Sequence, residues 1–174
     1  YEPFVGGGSV FLYLNDLEDY NIKHNYINDM DTDVINIYKA IKNNSKKIIK
    51  YLNLLDKKKS KKEYEKLVDI FNYNKKDKVM LAAIYIYMRK RSFNSKLNIK
   101  DGLIKPNYAK TLTKNKIYDE ENLNEISDIL KNTSIKNQDY IKFLNHYKPK
   151  SGDFVFLDPP YLTTQTKYFY NTIF

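Results

Sequence analysis

The chain has 174 residues, 42% of them apolar and 15% aromatic, with no cysteine and a formal net charge of +9. This is one domain's worth of chain with enough apolar material for a core, so global disorder is excluded. The lack of cysteine rules out disulfides and thiolate metal sites, and His24 and His146 lack the spacing of a histidine zinc site, so no metal is expected. The lysine excess favours a polyanionic partner, nucleic acid above all. With no apolar run of membrane-spanning length and no signal peptide in view, the expectation is a soluble, intracellular monomer. It would be cytoplasmic or wherever its nucleic acid resides, neither secreted nor membrane-bound.

In chain order, residues 1–14 read as the end of a strand, a glycine loop and a helix. Glu2, Pro3 and Phe4 leave the strand, Gly6, Gly7 and Gly8 allow a tight turn and close approach of a ligand, and Ser9 is expected to cap the helix. A glycine loop that opens a helix favours a nucleotide-like ligand. Neither a Lys-Ser/Thr pair nor Gly-x-Gly-x-x-Gly spacing follows, which excludes a Walker loop and the dinucleotide fingerprint.

A second short strand is expected over 24–28, followed by Asp29, Met30 and Asp31. An acid about twenty positions after the glycines, at the end of the next strand, stands where doubly wound folds hold ribose hydroxyls, and Asp29 fits best. Asp31 or Thr32 then caps a helix with Val34, Ile35, Ile37, Tyr38 and Ile41 on its apolar face, which continues helically through 45–55. Lysines dominate 56–62. Helices are expected over 63–71 and 78–91, the second apolar almost all round and therefore buried.

That helix runs into a basic and aromatic stretch. Arg89, Lys90 and Arg91 are candidates for phosphate contact, with Phe93 and Asn94 reaching towards bases. Residues 101–116 read as a loop or hairpin, 120–130 as an amphipathic helix, 133–135 as a short strand, and Asp139 or Tyr140 as the start of a last helix. Finally, Phe154 to Leu157 form a continuous apolar run between turn residues, the pattern of a fully buried strand.

Pro159 and Pro160 end that strand, because proline supplies no N–H and has its φ fixed. Asp158, Pro159, Pro160 and Tyr161 thus place a carboxylate, carbonyls and an aromatic ring at a strand's carboxyl end, where open α/β sheets bind ligands. The set suits an exocyclic amine on a planar ring: Asp158 and the Pro159 carbonyl accept its two N–H bonds while the ring stacks on Tyr161.

Glu-Pro-Phe-Val-Gly-Gly-Gly-Ser-Val-Phe-Leu at 2–12, Asp-Met-Asp-Thr-Asp-Val at 29–34 and Asp-Pro-Pro-Tyr at 158–161 stand in this order, more than a hundred residues separating the last two. In this the chain resembles the Dam-type, D12-class DNA adenine-N6 methyltransferases of the alpha arrangement. The resemblance implies an α/β, Rossmann-like S-adenosylmethionine-dependent methyltransferase fold with an inserted, mainly helical target-recognition region. On that reading 1–44 and 133–174 are the cofactor-binding and catalytic parts of the methyltransferase domain, and 45–132 is the insert.

The same resemblance implies S-adenosyl-L-methionine at Glu2, Pro3, Phe4, Gly6, Gly7, Gly8 and Ser9. Asp29 and Met30 would lie by the ribose, Asp139 and Tyr140 by the cofactor's adenine, and Asp158 between cofactor and target. It also implies double-stranded DNA as partner, with the target adenine flipped out of the duplex. The family's aromatic-Asn-Gly-Leu-x-Arg recognition stretch is matched by Phe93, Asn94, Ser95, Lys96, Leu97 and Asn98. Lys96 and Asn98 therefore join the expected DNA contacts, and with Asn98 in place of the guanine-reading arginine a GATC target is not implied. The family's earlier Gly-Lys motif and the strands beyond Asp-Pro-Pro-Tyr are missing from this stretch, so the expectation is an incomplete sheet in a piece of a longer protein, binding cofactor poorly and inactive alone. The rival readings are a cytosine-N4 or RNA aminomethyltransferase and a catalytically silent DNA-binding fragment.

Overall fold

The computed structural model describes residues 1–17, 21–74 and 76–160, without the side chains at 112 and 113. In chain order the elements are α1 (Ser9–Asp16), β1 (Asn25–Asn28), α2 (Thr32–Asp56), α3 (Lys61–Tyr73), α4 (Lys78–Arg91), β2 (Asn98–Lys100), β3 (Leu103–Lys105), α5 (Glu120–Lys131), β4 (Thr133–Lys136) and α6 (Tyr140–Tyr147), with short 3-10 turns at Phe93–Ser95 and Lys110–Lys114. The result is a mixed α/β protein.

Its centre is a parallel pair, β1 with β4, in the register Asn25 to Thr133 through Asn28 to Lys136. Two further extended segments continue the pairing on the other side of β1. Glu2 bridges Ile27 in parallel. Tyr1 in turn donates its amine to the Phe154 carbonyl at 2.8 Å and accepts from Phe156 N at 2.9 Å, the bonding pattern of a parallel neighbour. The order across the molecule is therefore 154–156, then 1–2, then β1, then β4, all in one direction.

Local chemistry explains most of the helices. Asp31 caps α2 by accepting from Asp33 N and Val34 N, and α2 bends at Asn44, whose φ of −144° is not helical. The lysine run ends in a capping box, Ser60 with Glu63, that starts α3. Asp77 caps α4, which is buried on nearly every side, with Ala83, Ile84, Tyr87 and Met88 fully enclosed. α2 packs against α4 and α5, joining the helical part to the strands. β2 and β3 form a hairpin whose turn residues, Asp101 and Gly102, both have positive φ, the geometry that Asp-Gly favours.

Two expectations need correction. Ser9 does not cap α1; the cap position is Gly8, which has no side chain to offer. The donor is met from elsewhere, since Glu2 Oε2 accepts from Phe11 N at 3.0 Å. Nor is 154–157 a fully buried strand: Phe154 and Leu157 are more than half exposed. An apolar run buries both faces only where strands and helices lie on both sides of it. Here Tyr1 borders one edge.

Candidate active site

Parallel strands send their following loops out at one common edge, and four such loops meet here. Pro3 to Gly8 leaves the Glu2 segment, Asp29 to Asp31 leaves β1, Asn137 to Asp139 leaves β4, and Asp158 to Pro160 leaves the 154–156 segment. Side chains tie them together. Asp29 Oδ2 accepts from Gly6 N and its Oδ1 from Asp31 N, each at 2.9 Å. Asn137 Nδ2 donates to the carbonyls of Asp29 and Met30. Asp158 lies close enough to Glu2 to act on its charge. The glycine turn and the double-proline arm are thus on the same side of the molecule.

The glycine loop is shaped from below by Tyr38, whose hydroxyl donates to the Gly6 carbonyl at 2.9 Å. Burial pushes that hydroxyl's pKa well up, and the nearby acids Glu2 and Asp29 add to the rise, so it remains a donor. Gly8 has φ of 71°, and a Cβ there would meet the Tyr38 oxygen at 2.5 Å and the Phe11 ring at 2.6 Å. Gly8→Ala is therefore expected to cost about 2–3 kcal/mol, read as a lowered urea midpoint. An unchanged midpoint would show that the turn can relax around a methyl group. At Gly7, by contrast, a Cβ would meet nothing within 4 Å and would stand in open space.

The rings of Phe4 and Tyr140 are in tilted contact, centroids 5.1 Å apart and planes at 39°, and Tyr140, Ile141 and Met30 are exposed. Asp139 caps α6 through Ile141 N and Lys142 N, which sets Tyr140 at the start of that helix. Glu2 is only 5% exposed, and burial raises its carboxyl to about 7 against the Phe11 N–H, with Asp158 adding to the rise. It therefore reads as the anchor of α1 rather than a group turned to solvent.

A folded-state value above the unfolded 4.5 means that the fold retains a proton the open chain has lost. Glu2 thus supports stability most below the unfolded value, and the support fades as pH rises towards 7. Between about pH 5 and about pH 7.5 the wild type is expected to lose roughly 2 kcal/mol more than Glu2→Gln, whose amide oxygen keeps the bond to Phe11 N. Parallel urea-midpoint curves for the two proteins would remove Glu2 as the source.

The basic stretch divides. Lys90, Phe93, Asn94, Lys96 and Asn98 are exposed, and Asn94 and Ser95 both hold φ of 53°. This conformation is unfavourable for residues with side chains and is kept in place by Asn107, which donates to the carbonyls of Phe93 and Lys96. Arg89 is half-buried. One turn before it, the buried Tyr85 lies near Asp29, Asp31 and Asp33, so the middle of α4 lies near the loop after β1. Arg91 does not fit the role expected of it. It is fully buried, donating to Asp56 at 2.8 Å and to the Asn115 carbonyl at 2.7 Å, and it joins the ends of α2 and α4 to the segment before α5.

Ser9 is exposed at the first position of α1. Pro3 is buried behind the loop. Tyr161 lies outside the described residues. Tyr38, Asn28 and Asn137 were not singled out from sequence. Tyr38 had the spacing of a core residue, and only its hydroxyl, on a face otherwise made of Val and Ile, hinted at a second task. A trough of about 610 Å³ between α1, β1 and 153–156 is lined by Glu2, Phe11, His24, Tyr26, Phe154 and Phe156; of the predicted cofactor residues it shares Glu2 but none of Gly6, Gly7, Gly8, Asp29, Asp139 or Asp158. It is therefore distinct from the place where the loops meet. Among the described residues no group of three or more His, Asp or Glu could hold a metal, and no helix is long and apolar enough to cross a membrane.

The chain is thus a mixed α/β protein whose parallel strands bring a glycine loop, an acidic loop and an aromatic pair to one strand edge. More particularly, the chain belongs to the D12 class N6 adenine-specific DNA methyltransferase family, whose model matches residues 1–174. It is 36% identical to the Type II methyltransferase M.MjaIII of Methanocaldococcus jannaschii over 98% of this chain and 63% of that protein. It is 34% identical to the Type II methyltransferase M1.LlaDCHI of Lactococcus lactis over 93% of this chain and 56% of that protein. To M.CviBI, from a Paramecium bursaria Chlorella virus, the identity is 29% over 97% and 61%. The chain spans roughly three fifths of the length of these relatives.

Proposed function

We propose that the protein containing this chain is a site-specific DNA methyltransferase that transfers a methyl group from S-adenosylmethionine to N6 of an adenine turned out of the duplex. The fold is then Rossmann-like, with 45–132 as the inserted recognition region between the cofactor-binding and catalytic parts. The observation that carries this reading is the meeting of four loops at one strand edge, with Asp158 near the same carboxylate, Glu2, that accepts from Phe11 N in the first turn of α1, just after the glycine loop.

The residues fit the cofactor. The open space over Gly7 would admit a close-lying ligand, and the exposed Tyr140 ring, backed by Phe4, offers an aromatic surface against which a planar base can pack. Asp29 keeps lone pairs for ribose hydroxyls beyond the bonds it accepts from Gly6 and Asp31. When bound, S-adenosylmethionine supplies an electrophilic methyl group. Gly7→Ala is expected to leave the urea midpoint within about 0.5 kcal/mol and to weaken cofactor binding, because the added methyl occupies that open space and strains nothing beneath it.

Asp158 and the Pro159 carbonyl hold the two protons of the exocyclic amine. The N6 lone pair is conjugated into the purine ring and is a poor nucleophile; acceptors on both N–H bonds favour the pyramidal nitrogen and bind it more strongly as it gains positive charge. Pro159 and Pro160 keep that carbonyl stationary, and the ring of Tyr161 stacks on the base. Lys90 and Lys96 contact phosphates, and Phe93, Asn94 and Asn98 approach bases from the strained loop.

The test is methyl transfer from labelled cofactor to unmethylated duplex DNA by the full-length protein, with the product digested to nucleosides. N6-methyladenine is the expected product. N4-methylcytosine would favour the cytosine reading, and DNA binding without transfer or cofactor affinity would favour a silent binding protein.

A further inference from the structure

We infer that Asn28 is a positioning residue of the cofactor site: its buried side-chain amide sets the separation of the glycine loop and the Asn137–Tyr140 turn, and through them the placing of the Phe4–Tyr140 ring pair. The inference rests on the proposed use of S-adenosylmethionine.

The register of β1 with β4 ends at Asn28 and Lys136. Beyond that point the backbones diverge, and regular ladder bonds no longer relate one loop to the next. Asn28, only 1% exposed, sits at this divergence. Its backbone makes the last rungs towards the glycine loop: its N–H donates to the Glu2 carbonyl, and its carbonyl accepts from Val5 N, each at 2.9 Å. The side chain then acts as an additional rung. Nδ2 donates to the Pro3 carbonyl at 3.0 Å and to the Gln138 carbonyl at 2.8 Å, while Oδ1 accepts from Gln138 N at 3.1 Å.

Both amide protons and the facing carbonyl lone pair are therefore used, and the orientation of the amide is decided by its neighbours: two carbonyls on one side, an N–H on the other. The pairing with Gln138 is reciprocal, like that of two peptide groups. Pro3 is followed by Phe4, and Gln138 is followed by Asp139 and Tyr140, so the same amide holds the stems of both rings of the contacting pair.

No other side chain of similar size can do this. Aspartate has the shape but not the donors, and would set a carboxylate against the carbonyls of Pro3 and Gln138. Serine reaches one partner only. Asn25, at the opposite end of β1, is a built-in comparison. It too is a buried amide in a reciprocal pair, with Asn15, but it faces away from the loops.

The experiment uses the full-length protein and follows S-adenosylmethionine binding, duplex DNA binding and turnover in Asn28→Asp, in the milder Asn28→Ser and in Asn25→Ala. Asn28→Asp is expected to weaken cofactor binding about tenfold or more and Asn28→Ser less, with DNA affinity retained and most of kcat recovered at saturating cofactor. Asn25→Ala is expected to lower the melting temperature without changing cofactor affinity. Wild-type cofactor affinity in both Asn28 variants would overturn the inference, as would equal losses of cofactor affinity in Asn28→Ser and Asn25→Ala, which would mark general loosening of β1. If the wild type itself bound no S-adenosylmethionine, the proposed function would fall first and the inference with it.

Discussion

Asp158→Ala is expected to reduce methyl transfer by about 10²- to 10³-fold while the protein stays folded and still binds cofactor and DNA. The argument starts from where the side chain lies. Asp158 is half-buried at the end of an edge segment, outside the hydrophobic core, so its removal leaves no cavity among packed apolar groups. Its loss also removes a negative charge that raises the Glu2 carboxyl, so the Glu2 titration is expected to move down and stability to hold or rise slightly. What is lost is an acceptor whose bond strengthens as the amine becomes charged, which affects kcat more than binding. Single-turnover transfer of labelled methyl, with cofactor and DNA affinities measured separately, is the check. Full activity in the variant would take Asp158 out of the chemistry.

The largest loss of stability is expected from Asp56→Ala. Asp56 accepts from Arg91 at 2.8 Å and from Ile117 N at 3.1 Å, and the Arg91 side chain is only 1% exposed. Taking the carboxylate away leaves a guanidinium buried without its counter-charge, a change that costs about 3–5 kcal/mol in such sites. The double variant Asp56→Leu with Arg91→Met removes both charges and is expected to recover much of that loss, read as a urea midpoint closer to wild type than either single variant. DNA affinity of the double variant tests the place of Arg91 directly. If it matches that of the wild type, the arginine serves the join between α2, α4 and the segment before α5. A marked fall with the fold intact would restore Arg91 to the phosphate contacts.

Arg91 illustrates how sequence and structure divide the problem. In sequence it stands between Lys90 and Ser92 as one of three consecutive basic residues. In three dimensions the helix carrying it is buried nearly all round, so successive residues turn to opposite fates: Lys90 to solvent, Arg91 to Asp56. The apolar character of α4 was plain from its residues, but which of its charged residues shared the burial depended on an acid 35 positions away. Ser9 is a similar case. It had the residue type of a cap, yet the turn placed Gly8 at the cap position and Glu2 supplied the acceptor.

Where conformation depends on neighbours a few positions apart, the chain's own chemistry mostly sufficed: helix starts at Asp31 or Thr32 and at Asp139 or Tyr140, an α4 apolar almost all round, and the three motifs whose order marks the family. Folding decided which polar groups are buried and which edge they share. Asn28 meets Gln138 across 110 positions and Tyr38 meets Gly6 across 32. A buried hydrogen bond requires both partners to be held against each other away from water, and for groups so distant along the chain only the packing of the whole molecule brings that about.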